Sequence, residues 1–444
     1  MNRFRINTID TSNLRGDVFG GLTAAVVALP LAIAFGVASG AGAVAGLYGA
    51  ACVGLFAALF GGTPAQISGP TGPMTIVSAS VFTMYADNPG VAFTVVMMAG
   101  GFQLLFGAMR LGRYVNLMPY PVISGFMTGI GVILIIMQLE PLLGYPTPDT
   151  VANAITVLPQ ELRNPNIHAV VLGVVSLFIC LFTPATLNRL IPAPLIALVV
   201  GSLLALGLSD ATVLGIIPTG MPQWQVPSVL LEDLNGMLVS AAVLGALGAI
   251  DSLLTSLAAD NVTRTFHDSD KELVGQGIGN IAAGIMGGLP GAGATIRTLT
   301  NVKAGGRTPL SGVIHAIVVF LVVLGLGPVL AFVPHAALAG ILIKVGLDVI
   351  DWRYLKRMLN APRVDVILMA VVLVLTVFID VITAVATGVV LASLAFVKES
   401  ADLQIESIKA LSDPDHAEFL SKKESELLRR CGGRLLFIYL SGLM

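Results

Sequence analysis

Two stretches decide the fold: AALFGGTPAQISGPTGPMT at residues 57–75 and AAGIMGGLPGAGATIRTLT at residues 282–300. Each is an apolar run that ends in Gly-Gly-x-Pro, passes through a glycine-rich break, and then offers a place to start a new helix. Gly61, Gly62 and Pro64 match Gly287, Gly288 and Pro290 at a constant offset. Pro73 suits the first turn of a helix beginning near Met74. Residues 291–294 precede a second start near Thr295. Neither break carries the charges of a solvated loop. Glycine-rich backbone among such apolar runs is tolerated at membrane depth only where protein or a water-filled cavity satisfies its N–H and C=O groups.

Outward from these breaks the chain stays apolar. Of 444 residues, 55% are hydrophobic and 11% charged, with a mean hydropathy of +0.89. Soluble domains carry roughly 25% charged residues, which argues against a soluble enzyme. Residues 18–86 contain no Asp, Glu, Lys or Arg, and long charge-free runs recur at 114–139, 273–296 and 308–343. A helix needs ~20 apolar residues to cross a bilayer, and an unpaired charge at its centre is costly. The reading is an all-α polytopic membrane protein of fourteen transmembrane segments, some half-length. They fall at about 17–38, 43–60, 71–86, 91–109, 121–140, 168–187, 192–208, 236–257, 273–288, 294–304, 309–333, 337–350, 364–381 and 382–398.

Charge placement tests this division. With residues 1–16 inside, the inner segments hold nearly all Lys and Arg, including Arg110, Arg264, Arg307 and the run Arg353, Lys356, Arg357. The outer loops hold only Arg163 as a basic residue. That is the positive-inside pattern, and an even count puts the tail inside as well. The N-terminus shows no signal-peptide core. Cys52, Cys180 and Cys431 have no metal or disulfide spacing. No basic patch suggests nucleic acid, and no Ser-His-Asp or metalloprotease pattern appears in the sequence.

Seven segments per half force the halves into opposite orientations, an inverted repeat of the kind secondary transporters use. The two helix starts then face each other near the midplane, third segment against tenth. Their free N–H groups and dipole ends make an anion site. Asp251 lies deep in the eighth segment, where a carboxylate defaults to a functional reading. Thr255 follows on the same helix face. Together with the Gly293 carbonyl and the Thr295 hydroxyl these oxygens suit a hard cation such as sodium. The alternative is an Asp251 that is protonated or neutralised by Arg297, which sits about one turn into the tenth segment. Asp380 is read as outer rim, and residues 353–357 as an inner loop able to meet anionic lipid.

Several stretches closely resemble the SulP anion transporters: DVFGGLTAAVVALPLAIAF (17–35), GPTGPM (69–74), DSLLTSLAAD (251–260), ELVGQGIGN (272–280) and GATIRTLTNVKAGGRTPLSG (293–312). The resemblance implies a SulP-like 7+7 inverted repeat. Its core domain would span about 17–110 and 236–333, and its gate domain about 121–208 and 337–398, moving like an elevator. It implies a homodimer in the inner (plasma) membrane with both termini cytoplasmic. Residue by residue it implies sodium ligands at Asp251, Thr255, Gly293 and Thr295. The anion would lie between Thr71–Gly72 and Ala294–Thr295, with Phe35 nearby and Arg297 adding charge. Within the family the chain looks most like the cyanobacterial sodium-dependent bicarbonate branch. It departs at Gly69, where that branch has Glu, and at Arg297, where it has Gly; Leu31 leans back towards bicarbonate. RLLFIYLSGLM (434–444) resembles the first strand of a STAS domain, so residues 399–444 read as a linker and a truncated STAS start. The function expected is sodium-coupled bicarbonate uptake, with sodium as coupling ion, no other cofactor and no enzymatic step. Sulfate or C4-dicarboxylate transport, coupled to protons or by exchange, or an uncoupled anion channel, are the alternatives.

Overall fold

The computed structural model describes residues 5–8, 10–112, 120–148, 150–208, 212–215, 224–325, 331–358 and 361–379, with scattered residues and two short strands beyond. The helices α1 (Leu14–Ala38) and α2 (Ala43–Phe60) form a hairpin. Gly46 lets them touch, since a Cβ there would collide with the Ala32 carbonyl oxygen. Small residues at such contacts are how membrane helices gain packing. Then follow β1 (Ser68–Gly69), α3 (Gly72–Met84), α4 (Pro89–Ala108), α5 (Tyr120–Met137), α6 (Leu139–Leu143), α7 (Val151–Glu161), α8 (Ile167–Phe182), α9 (Ala185–Leu190) and α10 (Ala193–Ala205). The second half holds α11 (Leu234–Thr263), α12 (Ser269–Ile285), β2 (Ala292–Gly293), α13 (Thr295–Lys303), α14 (Pro309–Gly325), α15 (His335–Val349), α16 (Trp352–Arg357) and α17 (Arg363–Phe378).

Five stretches, 14–38, 43–60, 89–108, 120–143 and 231–263, are long and apolar enough to cross a membrane by length and composition. Each of the first thirteen predicted segments overlaps a helix. Asp380 and about half of 382–398 lie outside the described residues, as does most of 399–444. In that tail β3 (Ile408–Leu411) pairs antiparallel with β4 (Phe437–Leu440), within the stretch read as a first STAS strand.

An all-helical description needs one correction. β1 and β2 pair antiparallel, Ser68 with Gly293 and Gly69 with Ala292. Both lie in the breaks, where the backbone leaves helical geometry in a buried setting. Its polar groups must find partners, and each break finds them in the other. α3 also begins two residues earlier than the proline placement suggested, because the extended backbone that follows β1 ends at Thr71.

The helices pack as two groups. α2, α4, α11, α12 and α14 pack together, with α1 and α13 against them. α5, α8, α10, α15 and α17 pack as a second set. α1 and α3 touch both, α1 through α10 and α15, and α3 through α5 and α15. A continuous buried core of Ala, Val, Leu, Ile and Phe runs through both groups.

Candidate functional site

The site is built on the crossed breaks. Because β1 and β2 immediately precede α3 and α13 and pair antiparallel, the two helix starts lie together and the helices leave in opposite directions. α3 spans 13 residues and α13 nine, both short of a full bilayer crossing. Neither start is capped by a side chain: Thr71 and Ala294 occupy the N-cap positions without a side-chain hydrogen bond to the helix. Their first N–H groups stay available to a ligand.

The predicted cation oxygens are largely together. Thr255 is fully buried on α11, and its Oγ1 lies 2.9 Å from the Gly293 carbonyl, to which it donates, and 2.7 Å from Thr295 Oγ1. Asp251, one turn earlier on α11, is held elsewhere: its Oδ2 accepts the Thr71 hydroxyl at 2.8 Å. Thr71 thus links the acid to the α3 start. Asp251 also borders a small space of about 20 Å³ lined by Pro73, Phe126, Met127, Leu247 and Leu254. All these donors are oxygens, the ligand type hard cations prefer. Phe35 is buried on α1, which packs against α3 and α13. Gly72 is the first residue of α3, and Ala294 is buried at the α13 cap.

Arg297 does not ion-pair with Asp251. Its side chain is 2% exposed, Nη2 donates to the Pro70 carbonyl, and Nη1 is enclosed without a hydrogen-bond partner. Gly69 makes room for it: φ is +152°, and a Cβ there would lie 2.8 Å from Arg297 Nη1. The two departures noted in the sequence are therefore neighbours in space. A side chain at position 69 would have to displace the guanidinium that lies over this α-carbon.

Sequence reasoning missed the polar scaffold that holds the breaks. Glu272, 1% exposed, accepts the Gly62 and Thr63 N–H groups at 2.9 Å each and the Gln66 and Gln276 amides at 2.8 Å each. Four donors satisfy this buried carboxylate, which forms no ion pair among the described residues. Gln276 also donates to Ser68 Oγ at 2.7 Å on β1. Asn280 clasps Gly291 with a pair of bonds at 2.7 and 2.9 Å. Ser252 Oγ accepts the Gly293 N–H at 3.0 Å, and Thr298 Oγ1 accepts the Ile67 N–H at 3.0 Å. The only sequence signal was ELVGQGIGN itself, in which Glu272, Gln276 and Asn280 recur every four residues and so share one face of α12.

Another alignment is invisible in sequence. His267 Nδ1 lies 2.7 Å from Asp260 Oδ2, and Ser269 Oγ lies 2.9 Å from His267 Nε2. The order resembles a hydrolytic triad, but its bonds close the α11–α12 turn. Asp260 also accepts the His267 N–H at 3.0 Å and the Thr265 hydroxyl at 3.1 Å. A larger cavity of about 800 Å³ lies between α1 and α13 on one side and α8, α10 and α15 on the other. Lys303 enters from α13 and Lys344 from α15, where Lys344 is paired with Asp348 at 2.5 Å.

Apolar helices in two groups, crossed breaks and an oxygen-lined site at two short helix starts define an integral membrane transporter rather than an enzyme. The chain belongs to the sulfate permease family, which it matches over residues 14–403, and it is an anion transporter. It is 49% identical to the bicarbonate transporter BicA of Picosynechococcus sp. over 99% of this chain and 80% of that relative. It is 34% identical to the putative sulfate transporter YvdB of Bacillus subtilis over 90% of this chain and 76% of that one. Among solved structures, the transmembrane domain of a cyanobacterium bicarbonate transporter BicA superposes with a TM-score of 0.81 at 50% identity, covering 86% of this chain and 99% of that one. SLC26A9 superposes with a TM-score of 0.80 at 20% identity, over 88% of this chain and 66% of that one, a likeness of fold alone.

Proposed function

We propose that this protein takes up bicarbonate by sodium-coupled secondary transport. The observation that carries the reading is the Thr255–Gly293–Thr295 oxygen cluster beside two uncapped helix starts, joined to Asp251 through Thr71. The 49% identity to relatives named as bicarbonate transporters, over 99% of the chain, supports the choice of anion. Sodium is held by Asp251, Thr255, Gly293 and Thr295; the anion lies between Thr71–Gly72 and Ala294–Thr295, with Phe35 alongside. Thr71 has one hydroxyl proton. While Asp251 accepts it, it is not offered to the anion. A cation engaging Asp251 frees that donor, and Arg297 adds positive charge behind the site. Binding of each ion then favours the other, the reciprocity that coupling demands.

The fourteen segments form a 7+7 inverted repeat, with α3 and α13 as half-length third and tenth segments. The core comprises about 17–110 and 236–333. It moves as an elevator against the gate, about 121–208 and 337–398, carrying the anion to the Lys303–Lys344 cavity. Residues 399–444 begin a STAS domain through which two copies pair. The protein sits in the inner membrane with both termini cytoplasmic.

A second reading, sulfate or C4-dicarboxylate transport, is favoured by one observation: the enclosed, unpartnered Arg297 Nη1 adds positive charge that suits a dianion. The deciding experiment is proteoliposome uptake of labelled bicarbonate, sulfate and fumarate, each with and without a sodium gradient. Bicarbonate uptake that needs sodium supports the first reading. Strong sodium-independent sulfate uptake without bicarbonate uptake overturns it. A unitary conductance would identify a channel instead.

A further inference from the structure

The basic run at residues 353–357 has no part in the transport chemistry above. It folds as α16, between α15 and α17. Asp351 caps it, accepting the Tyr354 N–H at 3.0 Å, and also takes the Tyr120 hydroxyl at 2.7 Å. The Tyr120 and Tyr354 rings lie 5.6 Å apart, and the Tyr354 hydroxyl oxygen is enclosed without a partner. Trp352 is 48% exposed, its indole N–H tied to the Leu347 carbonyl at 2.7 Å. Arg353, Lys356, Arg357 and Arg363 are all exposed, and none is ion-paired among the described residues. The charges of Arg353 and Arg357 both act on Tyr120, so the basic and aromatic groups share one rim.

An apolar stripe begins at this rim. Val364, Ile367, Val374 and Phe378 on α17 are 50–67% exposed and recur at helical spacing. Cationic heads and amphipathic rings beside an exposed apolar stripe match the layers of a lipid: phosphate, interface, acyl chain. A site for free phosphate would have no use for the stripe.

We infer that α16 and α17 form a binding site for an anionic glycerophospholipid. Arg353, Lys356, Arg357 and Arg363 take the headgroup phosphate, Trp352 and Tyr120 sit at the interface, and the α17 stripe takes an acyl chain. The site lies on the helix group that does not carry Asp251, and the inference needs residence in a membrane but not any particular transported anion. A lipid held there fixes the depth of that group in the bilayer.

The chain has two tryptophans, Trp224 and Trp352, so Trp224→Phe leaves Trp352 as a local reporter. The full chain is placed in phosphatidylcholine vesicles containing brominated phosphatidylglycerol or brominated phosphatidylcholine. Quenching of Trp352 then gives the relative binding constant of the two lipids. The expected preference for phosphatidylglycerol is about fivefold or more, the ratio that corresponds to ~1 kcal/mol, typical of one basic residue at a membrane surface. It should fall towards 1 in R353Q/K356Q/R357Q, leaving at most what Arg363 alone contributes, and shrink in high salt. Millimolar inorganic phosphate should not displace it. If the triple variant does not fold, Lys356→Gln and the salt titration carry the same test. Equal quenching by both lipids with the basic residues intact, or full displacement by inorganic phosphate, overturns the inference.

Discussion

Replacing Thr255 by valine probes the proposed cation site most directly. Valine keeps the branched shape of this fully buried side chain and removes only the oxygen that sits 2.9 Å from the Gly293 carbonyl and 2.7 Å from Thr295 Oγ1. A polar contact to a charged partner contributes ~1.5–3 kcal/mol. At 1.36 kcal/mol per tenfold, sodium affinity should fall about 10- to 150-fold. The fold should survive, because Gly293 keeps its N–H bond to Ser252 at 3.0 Å and its pairing with Ser68. The bond lost from a buried carbonyl still costs ~1–3 kcal/mol of stability. Two assays check this. The first is a sodium titration of bicarbonate uptake in proteoliposomes. The second is thermal unfolding with and without sodium. Sodium at 100 times its Kd stabilises the parent by ~2.7 kcal/mol, whereas a variant weakened 100-fold gains only about 0.4 kcal/mol at the same concentration. Thr255→Ser should restore most of the affinity. A folded Thr255→Val protein whose half-saturating sodium stays within about twofold of the parent would refute the assignment, because no rigid ligand set loses an oxygen at so little cost.

Asp251→Asn removes the carboxylate joined to the cluster through Thr71, and sodium should then no longer stimulate uptake; unchanged sodium stimulation counts against the site. Gly69→Ala drives a methyl against Arg297 Nη1 at 2.8 Å and against the Ala50 backbone at 3.0 Å. Losing the guanidinium bond to Pro70 should raise the KM for the anion about 10- to 100-fold, with sodium half-saturation little altered. Glu161 lies at the end of α7 with Oε2 enclosed and unpartnered, and burial pushes its carboxyl above the ordinary 4.5. Its charged form is therefore disfavoured in the folded state, so stability present below pH about 4.5 is lost as pH rises through the raised value. Glu161→Gln should leave the unfolding temperature unchanged at pH 4 and raise it at pH 7 to 8, read by thiol-reactive dye at the buried Cys52 and Cys180.

Much of the architecture could be read from residues close together in the chain. Charge-free runs located the helices because each must be apolar over its own length. Gly-Gly-x-Pro located both breaks, and helical periodicity placed Thr255 one turn beyond Asp251. The small helices α6, α7, α9 and α16 escaped because their sequences carry no bilayer signal. The β1–β2 pair escaped because two-residue strands have no periodicity to detect. Arg297 could be placed on its helix, but its partner could not. Pro70 is 227 residues away, and the sequence left Asp251 open as an alternative.

What the sequence determined by itself is where the apolar helices lie, where the chain breaks, and that an acid stands in a setting hostile to charge. These follow from the transfer free energy of local segments and need no knowledge of neighbours. The tertiary structure alone decided that one break pairs with the other, that Thr71 rather than Arg297 holds Asp251, that Glu272 anchors the scaffold, and that Gly69 and Arg297 share one space. Helices in this chain are apolar on most faces, so pattern does not say which face meets which helix. That choice is made by shape, by small residues at close contacts, and by the requirement that every buried polar group find a partner.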